Sequence, residues 1–307
     1  SDCLLGREVR YDGTSAGASF PHTLLDGLLE YRGICPEVAI GMGTPRRPIR
    51  LVGSVEQPRV VGACDPALEV TDALSQYGTT IAVSLTDVVG YVFMQKSPSC
   101  GLYRVKVHRL GGAGGNSVPL RRGRGAHAAA IVAAVPNLPV EENCRLHDRV
   151  LRDNFIIRVF AYAHWQRCFG KTAAGNSARL VEFHRPFEYL LMAHSVSHYQ
   201  KTVRLLDDPT LDSIEKAAVY AGLLMNGLAT PATRTGHAGV LSRVQHHLNE
   251  HMNERNRRKL ARLVAGYRRC EQALEAPLAL IRRHLSENPD EYLSNQIYLD
   301  PYPGYHG

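Results

Sequence analysis

The stretch Val88-Val89-Gly90-Tyr91-Val92-Phe93 runs directly into Met94-Gln95-Lys96-Ser97-Pro98-Ser99-Cys100-Gly101. Its first part is rich in β-branched and aromatic residues, which predicts a buried strand over 88–93. Proline and glycine interrupt regular structure, so the Ser-Pro-Ser-Cys-Gly segment predicts a loop. Ligands of parallel α/β sheets bind beyond the carboxyl ends of the strands. We therefore expect the loop around Cys100 to carry chemistry.

Segments that resemble strands alternate with segments that resemble helices in the residues before this stretch, and a glycine-rich segment follows it. β-Branched runs at 59–62 and 79–83 predict further strands, and the segments at 21–32 and 66–77 predict helices. The glycine-rich segment 110–124 lacks the Lys-Ser/Thr pair of a phosphate loop and predicts a flexible connection. Strands that alternate with helices favour an α/β domain with a mostly parallel sheet.

From about residue 148 onward, apolar residues recur at helical spacing, which predicts an all-α C-terminal domain. The helices predicted in this part lie at 186–199, 213–228, 238–252, 256–274 and 277–285. A chain of 307 residues is long enough for two domains. We therefore predict an α/β domain over 1–150 and a helical domain over 151–307.

Three cysteines in the N-terminal part, Cys3, Cys35 and Cys100, each lie in a short motif with a nearby glycine or proline. Three thiols that converge are one ligand short of a closed structural metal site. Such an incomplete ligand set leaves a metal position open for substrate. The alternative is that all three are buried structural thiols, because free cysteine is commonly a small core residue.

The seven cysteines of the chain are odd in number and widely spaced. This pattern argues against a secreted disulfide framework and predicts a reducing, cytoplasmic location. No run of about eighteen apolar residues occurs, so no membrane span is predicted. No signal peptide is visible at the start of the sequence. A monomer is favoured, although the sequence does not indicate the oligomeric state.

The formal net charge of +7 is concentrated in one C-terminal segment. Between 234 and 269 there are nine basic and two acidic residues, and nine minus two equals the net charge of the whole chain. The candidate contact residues in this segment are Arg255, Arg258, Lys259 and Arg262. A localised basic patch is typical of a polyanion partner, whereas a solvated helix face is the commoner meaning of a charge run.

His246, His247 and His251 lie in the same basic segment. His247 and His251 are four residues apart, which is the spacing of two zinc ligands on one helix face. We expect no acidic or cysteine partner near them. We therefore favour a surface that faces a polyanion over a zinc site.

The cysteine motifs resemble those of the thiouracil desulfidase domain family. The resemblance covers residues 3–13, 35–48 and 96–107, and includes Cys35-Pro36-Glu37 and Gly43-Thr44-Pro45-Arg46. From about residue 166 the chain resembles the YbgA-type helical domain, on the segments 181–184, 189–194 and 292–303. The combination is similar to bacterial desulfidases that remove 4-thiouridine from tRNA.

This resemblance implies that Cys3, Cys35 and Cys100 hold a [4Fe-4S] cluster through three irons, with no protein ligand on the fourth iron. It nominates Glu37 and Ser97 as the acid/base residues. The open iron would act as a Lewis acid on thiocarbonyl sulfur in a hydrolytic reaction without electron transfer. For Glu37, the alternative is a stabilising carboxylate in the first turn of a helix after Pro36.

The resemblance also implies tRNA as a partner, and a thiolated base would have to be exposed or flipped to reach a buried cluster. Arg46 and Lys96 are candidate contacts to phosphate or to the base, and the basic helical domain would hold the RNA backbone. Two alternatives remain open. One is desulfuration of free 2-thiouracil or thionucleosides, and the other is an RNA-binding protein whose metal centre is structural.

Overall fold

The computed structural model describes residues 1–17, 27–109, 119–170 and 177–305. The chain divides into two compact units, Ser1–Phe155 and Ile156–Gly307. The first unit contains strands and helices, and the described elements of the second are helices. The predicted fold class, α/β followed by all-α, is therefore confirmed.

Six strands are described in the first unit: β1 (Ile49–Gly53), β2 (Pro58–Gly62), β3 (Tyr91–Phe93), β4 (Val105–His108), β5 (Leu120–Gly123) and β6 (Val140–Glu142). Four of them form a mixed sheet in the order β2-β1-β4-β5. In this sheet β1 pairs with β4 in parallel, whereas β1–β2 and β4–β5 are antiparallel. The strand from the cysteine stretch, β3, pairs in parallel with β6.

The described helices of the first unit are α1 (Pro36–Ala39), α2 (Thr71–Val83) and α3 (Ala126–Ala134). Apolar residues from the sheet and from α2 form a core cluster that includes Leu51, Val60, Leu74 and Val107. Each of these four side chains is at most 1% exposed. This core holds the sheet against α2 and α3, since burial of apolar surface is the main stabilising contribution to such packing.

The strand predicted at 79–83 is wrong, because these residues form the C-terminal part of α2. Leu74, Gly78 and Ala82 recur every four residues and are the buried residues of this helix. At Gly78 an added Cβ would lie 2.7 Å from the Cβ of Ala130, so glycine permits the close approach of α2 and α3. Packing along one helix face therefore overrides the β preference of a Thr-Thr-Ile-Ala-Val run.

The other strands and helices predicted for this unit agree only in part with the structure. The run 59–62 lies in β2, and only the last three residues of 88–93 form β3. The predicted helix at 66–77 begins at Thr71. The helix predicted at 21–32 is not formed over its described part, 27–32, and its residues 21–26 lie outside the described residues. Residues 110–118 of the predicted loop 110–124 also lie outside them. Residues 120–123 of that loop form β5, because their backbone pairs with β4.

The division between the units lies within α4 (Arg149–Phe169). The helices that follow are α5 (Ser177–His194), α6 (Val196–Asp207), α7 (Ser213–Leu228), α8 (Arg234–Leu248), α9 (Glu254–Arg268), α10 (Glu275–Glu287) and α11 (Glu291–Ser294). The segment predicted as one helix at 186–199 is shared by two, because Ser195 caps the start of α6 through His198 N–H. Among the described residues, no helix has both the length and the apolar character needed to cross a bilayer.

Candidate active site

The segment that carries Cys3 is held against two other parts of the first unit. Cys3 lies in a short 3₁₀ helix, Asp2–Leu5, which ends at Gly6 with a φ of 89°. The backbone N–H of Asp2 donates to the carbonyl of Ile34 at 2.8 Å, next to Cys35. The amino nitrogen of Ser1 donates to the carbonyl of Val92 in β3 at 2.7 Å. These bonds bring the first cysteine beside the second and beside the strand that leads to the third.

Cys35 is the residue that precedes α1, with an extended backbone. Its thiol lies 3.7 Å from the carbonyl of Val9, which belongs to the loop after Cys3. Pro36 occupies the first position of α1, where its missing N–H and restricted φ are favourable. The turn therefore fixes the direction of the Cys35 side chain and of Glu37 two residues later.

The loop that carries Cys100 is stabilised by serine and by the start of α3. The hydroxyl oxygen of Ser97 accepts hydrogen bonds from the backbone N–H groups of Ser99 and Cys100, at 3.2 and 3.0 Å. The N–H of Ala128 in α3 donates to the carbonyl of Ser99 at 3.1 Å. An added Cβ at Gly125 would lie 2.5 Å from that same carbonyl, so glycine permits this contact.

Glu142 at the end of β6 holds the residues after Cys100. One of its carboxylate oxygens accepts from the N–H groups of both Leu102 and Tyr103, each at 2.9 Å. Glu142 itself is only 5% exposed. Hydrogen bonds to a buried carboxylate are stronger than those between neutral groups, so they fix the backbone that follows Cys100.

Cys3 and Cys100 are buried, Cys35 is partly buried, and none of the three is in a disulfide. Burial raises the pKa of the Cys100 thiol to about 12, and the nearby charge of Glu37 adds to this shift. Burial also raises the pKa values of Cys3 and Cys35, and the charge of Cys35 contributes to the shift at Cys3. Because a metal binds the thiolate form, metal binding would offset this desolvation.

Within the described ranges, no three His, Cys, Asp or Glu side chains are close enough together to hold a single metal ion. Cys3, Cys35 and Cys100 nevertheless come from separate segments of one buried region. In an iron–sulfur cluster each thiolate binds a different iron, so the ligands do not need to meet at one point. The donor set therefore suits a multinuclear cluster better than a mononuclear ion.

Glu37 has a defined partner on each carboxylate oxygen. Arg46 donates to Oε2 from Nε at 2.7 Å and from Nη2 at 2.5 Å. The hydroxyl of Ser99 donates to Oε1 at 2.7 Å. The side chains of Arg46 and Glu37 are 6% and 12% exposed. Glu37 is thus a partly buried carboxylate held in one orientation, and not only a first-turn helix residue.

Arg46 also donates to the carbonyls of Gly43 and Val9 at 2.8 and 3.0 Å, so its guanidinium is held by hydrogen bonds within the protein. In this arrangement it orients Glu37. Lys96 is exposed and has a φ of 62°, at the start of the Cys100 loop. The proposed contacts of Arg46 and Lys96 with substrate stay predictions.

Sequence reasoning missed Ser99, which is fully buried and bonded to Glu37. It selected Ser97, whose hydroxyl oxygen already accepts two backbone N–H groups. The Ser-Pro-Ser-Cys motif contained both hydroxyls, and nothing in its spacing distinguishes them. Tyr91 and His127 form a further buried polar pair in this unit, with Tyr91 Oη and His127 Nε2 3.1 Å apart.

The four basic candidates Arg255, Arg258, Lys259 and Arg262 are exposed residues of α9. The opposite face of this helix buries Leu260, Val264 and Tyr267. Glu254 pairs with Arg258 at 2.5 Å and with Arg257 at 2.7 Å, which reduces the local positive charge. The remaining exposed cations form a charged face suited to a polyanion.

One acidic partner of the histidine segment comes from a distant part of the sequence. Asp290 accepts a hydrogen bond from His247 Nε2 at 2.9 Å, and the rings of His247 and His251 are 6.3 Å apart. The expectation that no acidic partner lies near these histidines is therefore wrong. This group does not meet the geometry of a metal site among the described residues.

The two halves of the chain match two families. The sequence profile of the 2-thiouracil desulfurase family matches residues 1–143, and that of a protein family of unknown function, DUF1722, matches residues 188–303. The uncharacterized protein YbgA of Escherichia coli K12 is 31% identical over 155 residues, which are 49% of this chain and 89% of YbgA. The chain belongs to the family that joins a 2-thiouracil desulfurase domain to a YbgA-type domain.

A solved structure described as the [4Fe-4S]-dependent thiouracil desulfidase TudS is also similar to part of this chain. The sequence identity is 30%, and the match covers 48% of this chain and 90% of that one, with a TM-score of 0.35. The three cysteines and Glu37 all lie within the desulfurase domain. The basic face of α9 lies within the YbgA-type domain.

Proposed function

We propose that this protein converts 4-thiouridine in tRNA to uridine and releases the sulfur as sulfide, with a [4Fe-4S] cluster held by Cys3, Cys35 and Cys100. The observation that supports this proposal is the set of three thiols without disulfides, two buried and one partly buried, in the part of the chain that matches the 2-thiouracil desulfurase family and contains the oriented carboxylate of Glu37. The proposed site of reaction is in the cytoplasm, where thiols stay reduced.

The reaction replaces C=S by C=O and consumes one water. The water oxygen forms a bond to the ring carbon, the carbon–sulfur bond breaks, and the two protons of the water balance the departing sulfide. No oxidant or reductant is needed. When bound, a cluster with an open iron supplies a Lewis acid with a preference for soft sulfur ligands.

Glu37 is the proposed base, which would take a proton from the attacking water. Its two oxygens are held by Arg46 and by the Ser99 hydroxyl, which limits the rotation of the carboxylate. A general base works only when its oxygen stays within hydrogen-bond reach of the proton. Ser97 uses its oxygen as an acceptor of two N–H groups, so its own hydroxyl proton remains available for donation.

The YbgA-type domain would hold the tRNA through its backbone phosphates. The exposed cations of α9 suit this role because phosphate contacts supply sequence-independent affinity. Such contacts would also help to offset the cost of exposing a stacked base, about a few kcal/mol.

The first test is nucleoside mass spectrometry of bulk bacterial tRNA after incubation with the anaerobically reconstituted protein. We expect 4-thiouridine to decrease and uridine to replace it. Cys100→Ala should lose both the cluster and the activity. Cys64→Ala is the matched control, because Cys64 is exposed and belongs to none of the three motifs.

Desulfuration of free 2-thiouracil is the second candidate, because the family of the N-terminal domain is described by that substrate. The same protein preparation is therefore assayed with free 2-thiouracil and with tRNA. Faster turnover of the free base than of tRNA would favour this candidate. Binding of tRNA without loss of 4-thiouridine, in a protein with an intact cluster, would instead indicate an RNA-binding protein with a structural metal centre.

A further inference from the structure

The YbgA-type domain contains a cavity that the proposed reaction does not use. Its volume is about 440 Å³, which lies within the range of small-molecule sites in proteins. The end of α5 and parts of α6 and α8 line it, and both of these helices pack against α5. The residues of α9 that are candidate RNA contacts do not line it, so the cavity is distinct from the basic face of α9.

Two glycines of α8 determine the shape of this cavity. At Gly236 an added Cβ would overlap the carbonyl oxygen of Ala193, so glycine permits the close approach of α8 to the end of α5. At Gly239, three residues later, an added Cβ would meet no atom of another segment within 4 Å. Gly239 lines the cavity, and a larger side chain at this position would therefore occupy it.

Arg243 supplies a positive charge at the cavity. It is exposed, and it forms no hydrogen bond or ion pair within the part of the chain that the structure describes. The residues that line the cavity include no carboxylate. The first turns of α6 and α8 also line it, through Val196 and Thr235, and the first N–H groups of a helix have no partner within the helix. The guanidinium and these two helix ends together favour an anionic group.

His194 adds a hydrogen-bond acceptor to the lining of the cavity. Its Nδ1 lies 2.9 Å from the carbonyl oxygen of Thr230. A carbonyl oxygen can only accept, so Nδ1 carries the proton and Nε2 holds a lone pair. Burial lowers the pKa of His194 to about 4, and the charge of Arg158 contributes to this shift, so the ring is neutral near pH 7. Nε2 has no hydrogen-bond partner among the described residues, which leaves it available to a donor on a ligand.

The rest of the lining suits a flat ring with polar substituents. Met192 and Ala193 contribute apolar surface, and Tyr199 contributes an aromatic ring. Aromatic side chains are the usual stacking surface for a base that is not paired. Gln200 and Thr235 contribute side chains that can both donate and accept hydrogen bonds, as ribose hydroxyls require.

We infer that this cavity binds one nucleotide, with its phosphate at Arg243, its base against Tyr199 and a base N–H that donates to His194 Nε2. An anion, a flat ring and a donor on the edge of that ring occur together in a nucleotide, whereas inorganic phosphate lacks the ring and a nucleoside lacks the anion. The nucleotide is either free or part of an RNA chain. The choice of RNA as its source rests on the proposed function, but the binding of a nucleotide does not.

The first measurement is isothermal titration calorimetry of the full chain with the four 5′-ribonucleoside monophosphates, their nucleosides and inorganic phosphate. We expect at least one monophosphate to bind about tenfold or more tightly than its nucleoside and than phosphate, because only the nucleotide reaches both Arg243 and His194. Equal binding of phosphate and nucleotides, or no binding of any nucleotide, would overturn the inference. The titration needs no desulfidase activity, so it separates a failure of this inference from a failure of the proposed function.

Arg243→Gln tests the phosphate contact. We expect the nucleotide to bind about tenfold more weakly and the affinity of the nucleoside to stay unchanged, because hydrogen bonds to charged groups are the stronger ones. Arg185→Gln is the matched control, since Arg185 is an exposed arginine of α5 that does not line the cavity. Equal weakening by both substitutions would indicate a general charge effect and overturn the inference.

Two substitutions at His194 test the base contact. His194→Asn keeps an N–H that can donate to Thr230 and removes the acceptor, whereas His194→Gln provides an amide oxygen in place of Nε2. We expect the Asn variant to bind nucleotide and nucleoside about fivefold more weakly and the Gln variant to retain most of the affinity. Wild-type affinity in the Asn variant, or equal losses in both variants with reduced thermal stability, would overturn the contact with His194.

Gly239→Leu tests the location of the site. We expect loss of nucleotide binding with a thermal stability at least equal to that of wild type, because leucine favours a helix and the space beside Gly239 is open. Gly239→Ala should reduce binding less, because its methyl group fills little of the cavity. Wild-type affinity for nucleotide in a folded Gly239→Leu variant would place the ligand elsewhere and overturn the inference.

Competition with RNA identifies the source of the nucleotide. If the source is RNA, a single-stranded ribotetranucleotide that contains the preferred base should displace the bound nucleotide at a lower concentration than the free nucleotide does. Gly239→Leu should then also weaken the binding of tRNA. Displacement by free nucleotide alone would support the nucleotide site and exclude RNA as its source.

Discussion

At the residue scale, the candidate base and its supports form a small network. Glu37 contacts Arg46 through one oxygen and Ser99 through the other, and Ser99 is next to the candidate ligand Cys100. Arg46 in turn holds the carbonyl of Val9, the group that Cys35 also contacts. The network therefore links the orientation of the carboxylate to the segments that carry two of the cysteines.

Glu37→Gln removes the negative charge while it keeps the size of the side chain. We expect the cluster absorbance to be retained and kcat to fall by about 10²-fold or more, because the amide cannot accept a proton from water. Iron and sulfide content are measured beside the rate of 4-thiouridine loss. Full activity of a cluster-loaded variant would show that Glu37 is not the base.

At the element scale, the Cys100 loop depends on α3 rather than on its own sequence. The first turn of α3 donates to the carbonyls of Pro98 and Ser99, and Gly125 makes that approach possible. The loop is also tied to β6 through Glu142. A short loop with several such bonds is rigid, and a rigid loop is required to place a metal ligand.

Gly125→Ala should separate the loop from α3, because the new Cβ would lie 2.5 Å from the Ser99 carbonyl. We expect a loss of about 2 kcal/mol of stability, as for an overpacked site, together with reduced iron content. Gly239→Ala is the control, since no atom lies within 4 Å of its added Cβ and alanine favours a helix. Equal thermal stability and iron content in both variants would contradict this prediction.

Because His184 in α5 is buried, we expect the stability of the protein to depend on pH. Burial lowers the pKa of His184 to about 4, whereas an unfolded histidine has a pKa of about 6.5. Between these values the unfolded chain binds a proton that the folded chain does not bind. The free energy of unfolding should therefore fall as the pH decreases from about 6.5 to 4, by up to about 3 kcal/mol.

His184→Gln should reduce this dependence because it removes the titrating group. Urea unfolding can be followed by the fluorescence of Trp165, the single tryptophan, whose ring is 5.2 Å from Phe183 and 5.7 Å from Tyr220. An identical pH dependence in wild type and variant would contradict the assignment to His184.

At the scale of the whole molecule, the two domains have separable contributions to the proposed reaction. The desulfurase domain contains the cysteines and Glu37, and the YbgA-type domain contains the basic face of α9. If the proposal is correct, turnover of a free base requires only the first contribution, whereas turnover of tRNA requires both. Substitutions in α9 should therefore affect one substrate and not the other.

Charge reversal at Lys259 and Arg262 tests this separation. We expect weaker tRNA binding with a smaller salt dependence, by about one unit of slope per lost phosphate contact, and unchanged turnover of free 2-thiouracil. Lys201→Glu is the control for net charge, because Lys201 is an exposed residue of α6 outside the basic segment. Equal effects of the three substitutions on tRNA binding would indicate a general charge effect.

The sequence by itself determined the domain classes, the three cysteine motifs and the amphipathic pattern of α9. These features depend on local composition and periodicity, which can be recognised without knowledge of long-range contacts. Asp212 illustrates this, because a helix cap uses only neighbouring residues, and its side chain accepts from the N–H groups of Ile214 and Glu215.

Only the tertiary structure selected Ser99 over Ser97, assigned Arg46 to Glu37, and joined Tyr91 to His127. Residues 79–83 form a helix and not the predicted strand, because α2 packs closely against α3. Each of these outcomes depends on groups that are distant along the chain and adjacent in space. Sequence spacing carries no information on such contacts, because they arise from packing and from the need to satisfy buried polar groups.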